Sequence, residues 1–243
     1  MHLQHLSVMR FFKSIECLIR CRNIQSQMRR RFGYQKFKCF TPKELRLAMQ
    51  NSDFSSQYAQ DWFVATRVFP RKNAGFFVDI GANHPTHNNN TLYFEKIGWT
   101  GIAFEPQKRL VDIWKTARTT PCLPYVIGSE RKTVTFNINE SDVLSSVVEK
   151  NGDLDEQISV EQYRLDDFLQ ERGISHVDFL SIDVEGYEQH VLQGIDFGKI
   201  SIRCVVIENN RIRRGDDALR NMIIQNGYDY VARLGCDDVF VRR

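Results

Sequence analysis

Four acidic or glycine-bearing segments stand where apolar runs end: Asp79-Ile80-Gly81-Ala82-Asn83, Glu105-Pro106, Asp183-Val184-Glu185-Gly186 and Glu208-Asn209-Asn210. Glycine at such a point lets a ligand approach the backbone. Glu105, 24 positions after Gly81, suits a ribose, because one carboxylate accepts from both hydroxyls of a diol. The nicotinamide fingerprint GxGxxG is not met: Asn83 and Thr86 hold its second and third glycine places, and the loop is too bulky to cradle a pyrophosphate. Asp183, Glu185, His84 and His87 are the groups nearest this region that could take a proton from a bound hydroxyl. Alternatively, Asp183 with Glu208 and Asn209 forms an oxygen set suited to Mg2+ or calcium, which would acidify a bound hydroxyl through the ion. Each residue also has a plainer reading: Asp79 and Asp183 as helix caps, His84 and His87 as a surface pair.

The elements that must position these residues follow from periodicity. From residue 76 onward, short apolar runs alternate with amphipathic stretches, which is how a parallel sheet covered by helices reads. Strands are expected at Phe76–Ile80, Gly101–Phe104, Leu123–Ile127, Val177–Ile182 and Ile202–Ile207, and helices at Pro85–Ile97, Gln107–Ala117, Asp166–Arg172, Tyr187–Leu192 and Asp216–Asn226. Thr133–Ile138 and Ile158–Leu165 alternate as extended insertions, with a polar loop, Glu140–Asp155, between them. Tyr228–Arg233 and Val239–Arg242, joined at Gly235-Cys236-Asp237, form a closing antiparallel pair. The expected fold class is α/β: a mostly parallel, doubly wound sheet with a C-terminal antiparallel hairpin. In such a sheet a ligand lies beyond the carboxyl ends of the strands, where the acids are.

Of the 243 residues, 42% are hydrophobic and 26% charged, a composition that excludes a wholly disordered chain. The net charge of +3 hides a division: residues 1–40 carry nine Lys and Arg against one acid, Glu16, which leaves the remainder at −5. An acidic body argues against a nucleic-acid partner. The six cysteines, at 17, 21, 39, 122, 204 and 236, form no CxxC pair, as in a reducing, cytoplasmic compartment. Leu3, Leu6, Met9, Phe12, Ile15 and Ile19 fall on one helical face of the basic segment, so residues 1–40 are expected as an amphipathic extension able to make peripheral membrane contact. Residues 41–243 form the expected domain, with a helical preface at 41–66. Oligomeric state leaves no sequence signal.

The acids favour a cationic nucleoside without phosphates, and S-adenosylmethionine, with its ribose, amino group and sulfonium, fits. Val78-Asp79-Ile80-Gly81-Ala82-Asn83, Phe104-Glu105-Pro106, Leu165-Asp166-Asp167-Phe168 and the run Val177 to Glu188 resemble, in order, the motifs of the FkbM family of S-adenosylmethionine-dependent methyltransferases. Ser55-Ser56-Gln57-Tyr58-Ala59-Gln60-Asp61 resembles that family's SQxxQD segment; Ser181, where Lys is usual, and His84-Pro85-Thr86-His87 depart from it. The resemblance implies a Rossmann-like class I methyltransferase acting on oxygen, with a sugar, glycan or natural-product acceptor. It also implies that Asp79, Gly81, Ala82 and Asn83 bound the methionine half of the cofactor, and Glu105-Pro106 the ribose. Ile127, Gly128 and Ser129 would line the adenine edge, with Asp183 near the amino group or the transferring methyl. The competing expectation is an inactive Rossmann-like protein that recruits a glycan or protein partner.

Overall fold

The structure is a computed structural model that describes residues 51, 53–138, 146–147, 156–210 and 217–243. The basic segment 1–40, residues 41–50 of the expected helical preface and most of the polar loop lie outside the described residues. Seven strands form the main sheet: β1 (Phe76–Ile80), β2 (Thr100–Phe104), β3 (Cys122–Leu123), β8 (His176–Ile182), β9 (Ser201–Glu208), β10 (Tyr228–Leu234) and β11 (Asp237–Arg242), in the order β10-β11-β9-β8-β1-β2-β3. The five strands from β3 to β9 run parallel, while β11 pairs antiparallel with both β9 and β10. The reversal of strand order beside β1 makes the crevice expected of a doubly wound sheet.

Alternation along each strand divides the core into two layers. Val78, Ile80, Leu180, Ile182, Val205 and Ile207 join one buried layer with helices α4 (Leu165–Gln170), α5 (Glu188–Gln193) and α6 (Ala218–Gln225). Phe77, Phe179, Cys204 and Val206 join the other, against α1 (Gln60–Phe63), the π-helical turn Val64–Val68 and α2 (Leu92–Lys96). Burial of each large apolar side chain contributes about 1.5–3 kcal/mol, and a one-residue slip would exchange the two layers. Helix α3 (Lys108–Ala117) buries Leu110, Val111 and Trp114 and turns the Lys108–Asp112–Lys115 ladder to solvent. It stops at Arg118, whose backbone is extended.

Two expectations are corrected. The segment 123–127 is not one strand: after β3, Pro124 interrupts it, and β4 (Val126–Ile127) pairs with β7 (Glu156–Tyr163) in a second sheet ordered β4-β7-β5-β6. Proline has no N–H to continue a ladder. This second sheet, with β5 (Lys132–Ile138) and β6 (Ser146–Val147), is the expected insertion. The helix expected over 85–97 shortens to Leu92–Lys96. Asn88 is left-handed (φ 51°), and the Asn89 carboxamide accepts from the amides of Thr91 and Leu92, so side chains compete successfully with the helical ladder.

Candidate active site

Register alone lines up the chemistry. Ile80 is opposite Phe104 and Ile182, and Ile182 is opposite Ile207. The next residues, Glu105, Gly81, Asp183 and Glu208, therefore leave the sheet side by side, at the spacing of about 4.8 Å between neighbouring strands. Asp237 pairs with Glu208 and extends the row. The outcome is a line of acids broken by a glycine. Gly81 has φ 74°, and a Cβ there would overlap the Asp183 carbonyl oxygen, so only glycine lets the two strand ends close together.

Above this edge lies a cavity of about 370 Å³. Gly81, Asn83, His84, Glu105, Pro106, Asp183, Glu185 and Glu208 all line it, which brings together most of the residues singled out from sequence. Glu105 is held by two amides: Oε2 accepts from Asn83 N at 2.9 Å and Oε1 from Gln107 N at 3.0 Å. Tyr125, Val126, Ile127 and Phe136 form an apolar wall at the β3–β4 end, while Gln57, Tyr58 and Cys236 close the β9–β11 end. Asn83, Asn88 and Glu185 line the cavity with left-handed backbones, so conformational strain gathers at this site.

Several expected residues are placed elsewhere. Asp79 is not a helix cap. It is buried in β1, where it accepts from the Thr91 hydroxyl at 2.7 Å and the Asn89 carboxamide at 3.3 Å, behind the loop rather than in the cavity wall. Ala82 packs with Ala103, Val111, Trp114 and Cys122. Gly128 abuts the Gln162 carboxamide, and the Ser129 carbonyl accepts from Arg164 at 2.9 Å, so Ile127 alone of that trio reaches the cavity. Ser181 faces the same layer as Asp79 and accepts from Asn90 at 3.0 Å. Asn209 does not join Asp183 and Glu208, because its amide nitrogen donates to Asp238 at 2.9 Å. The three carboxylates that do converge are Asp183, Glu185 and Glu208, with one oxygen of each within 4.8 Å of the others.

Electrostatics sets this cluster apart. Burial, then Glu208, Asp237, Glu185 and Glu188, pushes Asp183 well above the usual carboxylate range. Its side chain is exposed through the cavity it lines, so solvent in the cavity screens part of this effect. Burial and then Glu185, Glu188 and Asp237 push Glu208 up to about 8, and burial raises Asp237 to about 6. No described residue donates a hydrogen bond to the Asp183 carboxylate. Acids so placed resist ionisation, and a cation among them favours the charged form. His84 is drawn down by burial, then by His87 and Arg109. Its Nδ1 accepts from Thr86 N at 3.3 Å, so the neutral ring carries its proton on Nε2 and is a donor rather than a base. Sequence reading missed Asp237, Tyr125, Phe136, Gln57 and Tyr58. The one available signal was the SQxxQD-like segment, which contains Gln57 and Tyr58.

The chain matches the family described as "Methyltransferase FkbM domain" over residues 79–230. Among solved structures, it is similar to methyltransferase FkbM from Methylobacillus flagellatus KT, with 15% identity, a TM-score of 0.47, and 75% of this chain and 47% of that one covered. It is also similar to the METTL16 MTase domain, with 14% identity, a TM-score of 0.43, and 88% and 74% covered. The chain thus spans about half the length of the first of these. No curated protein matches it.

Proposed function

The chain belongs to the FkbM methyltransferase family, and from that premise we propose that it is an S-adenosylmethionine-dependent methyltransferase acting on the oxygen of a sugar, glycan or natural-product hydroxyl. The row Glu105, Gly81, Asp183, Glu208 along the carboxyl edge carries this reading. It offers a diol acceptor at one position, a close backbone approach at the next, and a cluster of acids that a cationic ligand would relieve. When bound, S-adenosylmethionine supplies an activated methyl for in-line displacement. The protein must then align the acceptor, exclude water and remove a proton. Asp183 and Glu208 are the groups that receive it, since both stand at the centre of the cavity, the positive charge of a bound cofactor favours their ionised, proton-accepting form, and His84 is committed as a donor. The apolar wall of Tyr125, Val126, Ile127 and Phe136 suits a flat base. Calorimetric titration with S-adenosylmethionine tests the reading: saturable binding supports it, and no heat at millimolar cofactor rejects it.

A second arrangement is favoured by the convergence of Asp183, Glu185 and Glu208. A divalent ion on these oxygens would relieve the same repulsion and acidify the acceptor hydroxyl. Glu185 would stand in the place first expected for Asn209. Loss of methyl transfer to a cell extract in excess chelator, restored by magnesium, would support the ion; full transfer in chelator would remove it.

A further inference from the structure

Residues 81–91 form neither helix nor strand, yet they carry Gly81, Asn83, His84, His87 and Asn88 to the cavity. Such a segment holds one shape only where its carbonyls and polar side chains find partners outside it. Arg118, the residue that ends α3, supplies three of them from one side chain. Its side chain is fully buried (0% exposed) and paired with Glu95, Nε to Oε2, at 2.8 Å. Nη1 donates to the Pro85 carbonyl at 3.1 Å and to Asn89 Oδ1 at 3.1 Å, and Nη2 donates to Thr91 Oγ1 at 3.3 Å. The guanidinium lies 4.4 Å from the Trp114 ring centroid. The Trp114 indole N–H in turn donates to the Asn83 carbonyl at 2.7 Å. Thr91 and Asn89 pass the connection on to Asp79.

This arrangement uses what distinguishes arginine from lysine: a planar fork with several fixed donors and a face that stacks on an aromatic ring. A point charge would neutralise Glu95 and Asp79 equally well but could not reach Pro85, Asn89 and Thr91 together. We propose that Arg118 is the positioning residue for cofactor binding: its fork clamps residues 85–91 against α3, so that Gly81, Asn83 and Asn88 meet the ligand in a preformed shape. The proposal rests on the reading of the cavity as an S-adenosylmethionine site.

Arg118→Lys keeps the charge and removes the fork. It is expected to fold, to weaken the calorimetric Kd for S-adenosylmethionine tenfold or more, and to lose amide hydrogen-exchange protection over residues 83–91, regained at saturating cofactor. A purely structural role would lower the melting temperature and leave the Kd of the folded protein unchanged, and that result would overturn the proposal. Thr91→Val, which leaves Arg118 and Glu95 in place and removes the Nη2 acceptor together with the hydroxyl's bond to Asp79, carries the test if Arg118→Lys does not fold. A severalfold weaker Kd then supports the clamp, and an unchanged Kd sinks it. Wild-type protein that fails to bind S-adenosylmethionine overturns the cofactor reading and the clamp together, whereas equal binding by wild type and variants overturns the clamp alone.

Discussion

With its carboxyl pushed up to about 8, Glu208 keeps a proton that the unfolded chain loses above about pH 4.5. Asp237, raised to about 6 from 3.8, behaves alike. Between these limits the folded state binds more protons than the unfolded one, so the stabilisation is full below about pH 4 and is lost as pH rises through 6 and then 8. Glu95 works in the opposite direction and in another window. Its hydrogen bonds from Thr120, Arg118 and Thr119 outweigh burial and hold its carboxyl down to about 2, so its contribution is lost only as pH falls below 4.5. Melting temperature in the absence of cofactor is therefore expected to fall between pH 5 and 8.5, and S-adenosylmethionine to raise it most at the upper end. Scanning calorimetry across that range checks this; a melting temperature that climbs to pH 8 without cofactor would contradict it. The same repulsion predicts the behaviour of Asp183→Asn. Removing one acid from a cluster with Glu208, Asp237, Glu185 and Glu188 should raise the melting temperature by about 2–4 °C at the upper end of that pH range, where the cluster ionises, while cofactor affinity falls tenfold or more, as expected where a site sacrifices stability for function.

The elements were largely legible because apolar runs and helical periodicity are local signals. All the main-sheet strands anticipated from residues 76 to 242 are present; the segment after Cys122 splits, and the second sheet takes the alternating insertions. Pro124 was visible in the sequence, but the partner that claims β4 was not, because β7 lies some 35 residues further on and its pairing is tertiary. Residues 85–91 were misread as the first turns of a helix that starts only at Leu92; three successive asparagines and the buried Arg118 hold them otherwise. The sharpest constraint at this scale is Gly81. Its left-handed backbone and the overlap that a Cβ would make with the Asp183 carbonyl predict that Gly81→Ala either fails to fold or loses several kcal/mol, of the order of 2–5. Urea denaturation measures it, and a loss below about 1 kcal/mol would mean that the β1 and β8 ends can separate.

At the scale of the whole chain, charge divides a body at −5 from a segment at +8. No helix among the described residues is long and apolar enough to cross a membrane. Residues 1–40 are proposed as an address on anionic surfaces, through the apolar face of Leu3, Leu6, Met9, Phe12, Ile15 and Ile19. Full-length chain is expected to sediment with anionic vesicles at low salt and the chain lacking residues 1–40 to stay in solution; equal sedimentation of both removes the idea. Sequence by itself determined the alternation of strands and helices, the acids and glycine at strand ends, and the split in charge, because each is a pattern within a few neighbouring residues. Tertiary structure decided which acids meet. Parallel register sets Glu105, Gly81, Asp183 and Glu208 in one row, and an antiparallel strand adds Asp237 from its beginning rather than its end. The fold also turns Asn209 toward Asp238, draws Asp79 behind the loop and brings Arg118 to that loop from the end of α3. Strand direction, register and the partner of a buried charge are all set between segments far apart in the chain, and no local pattern encodes them.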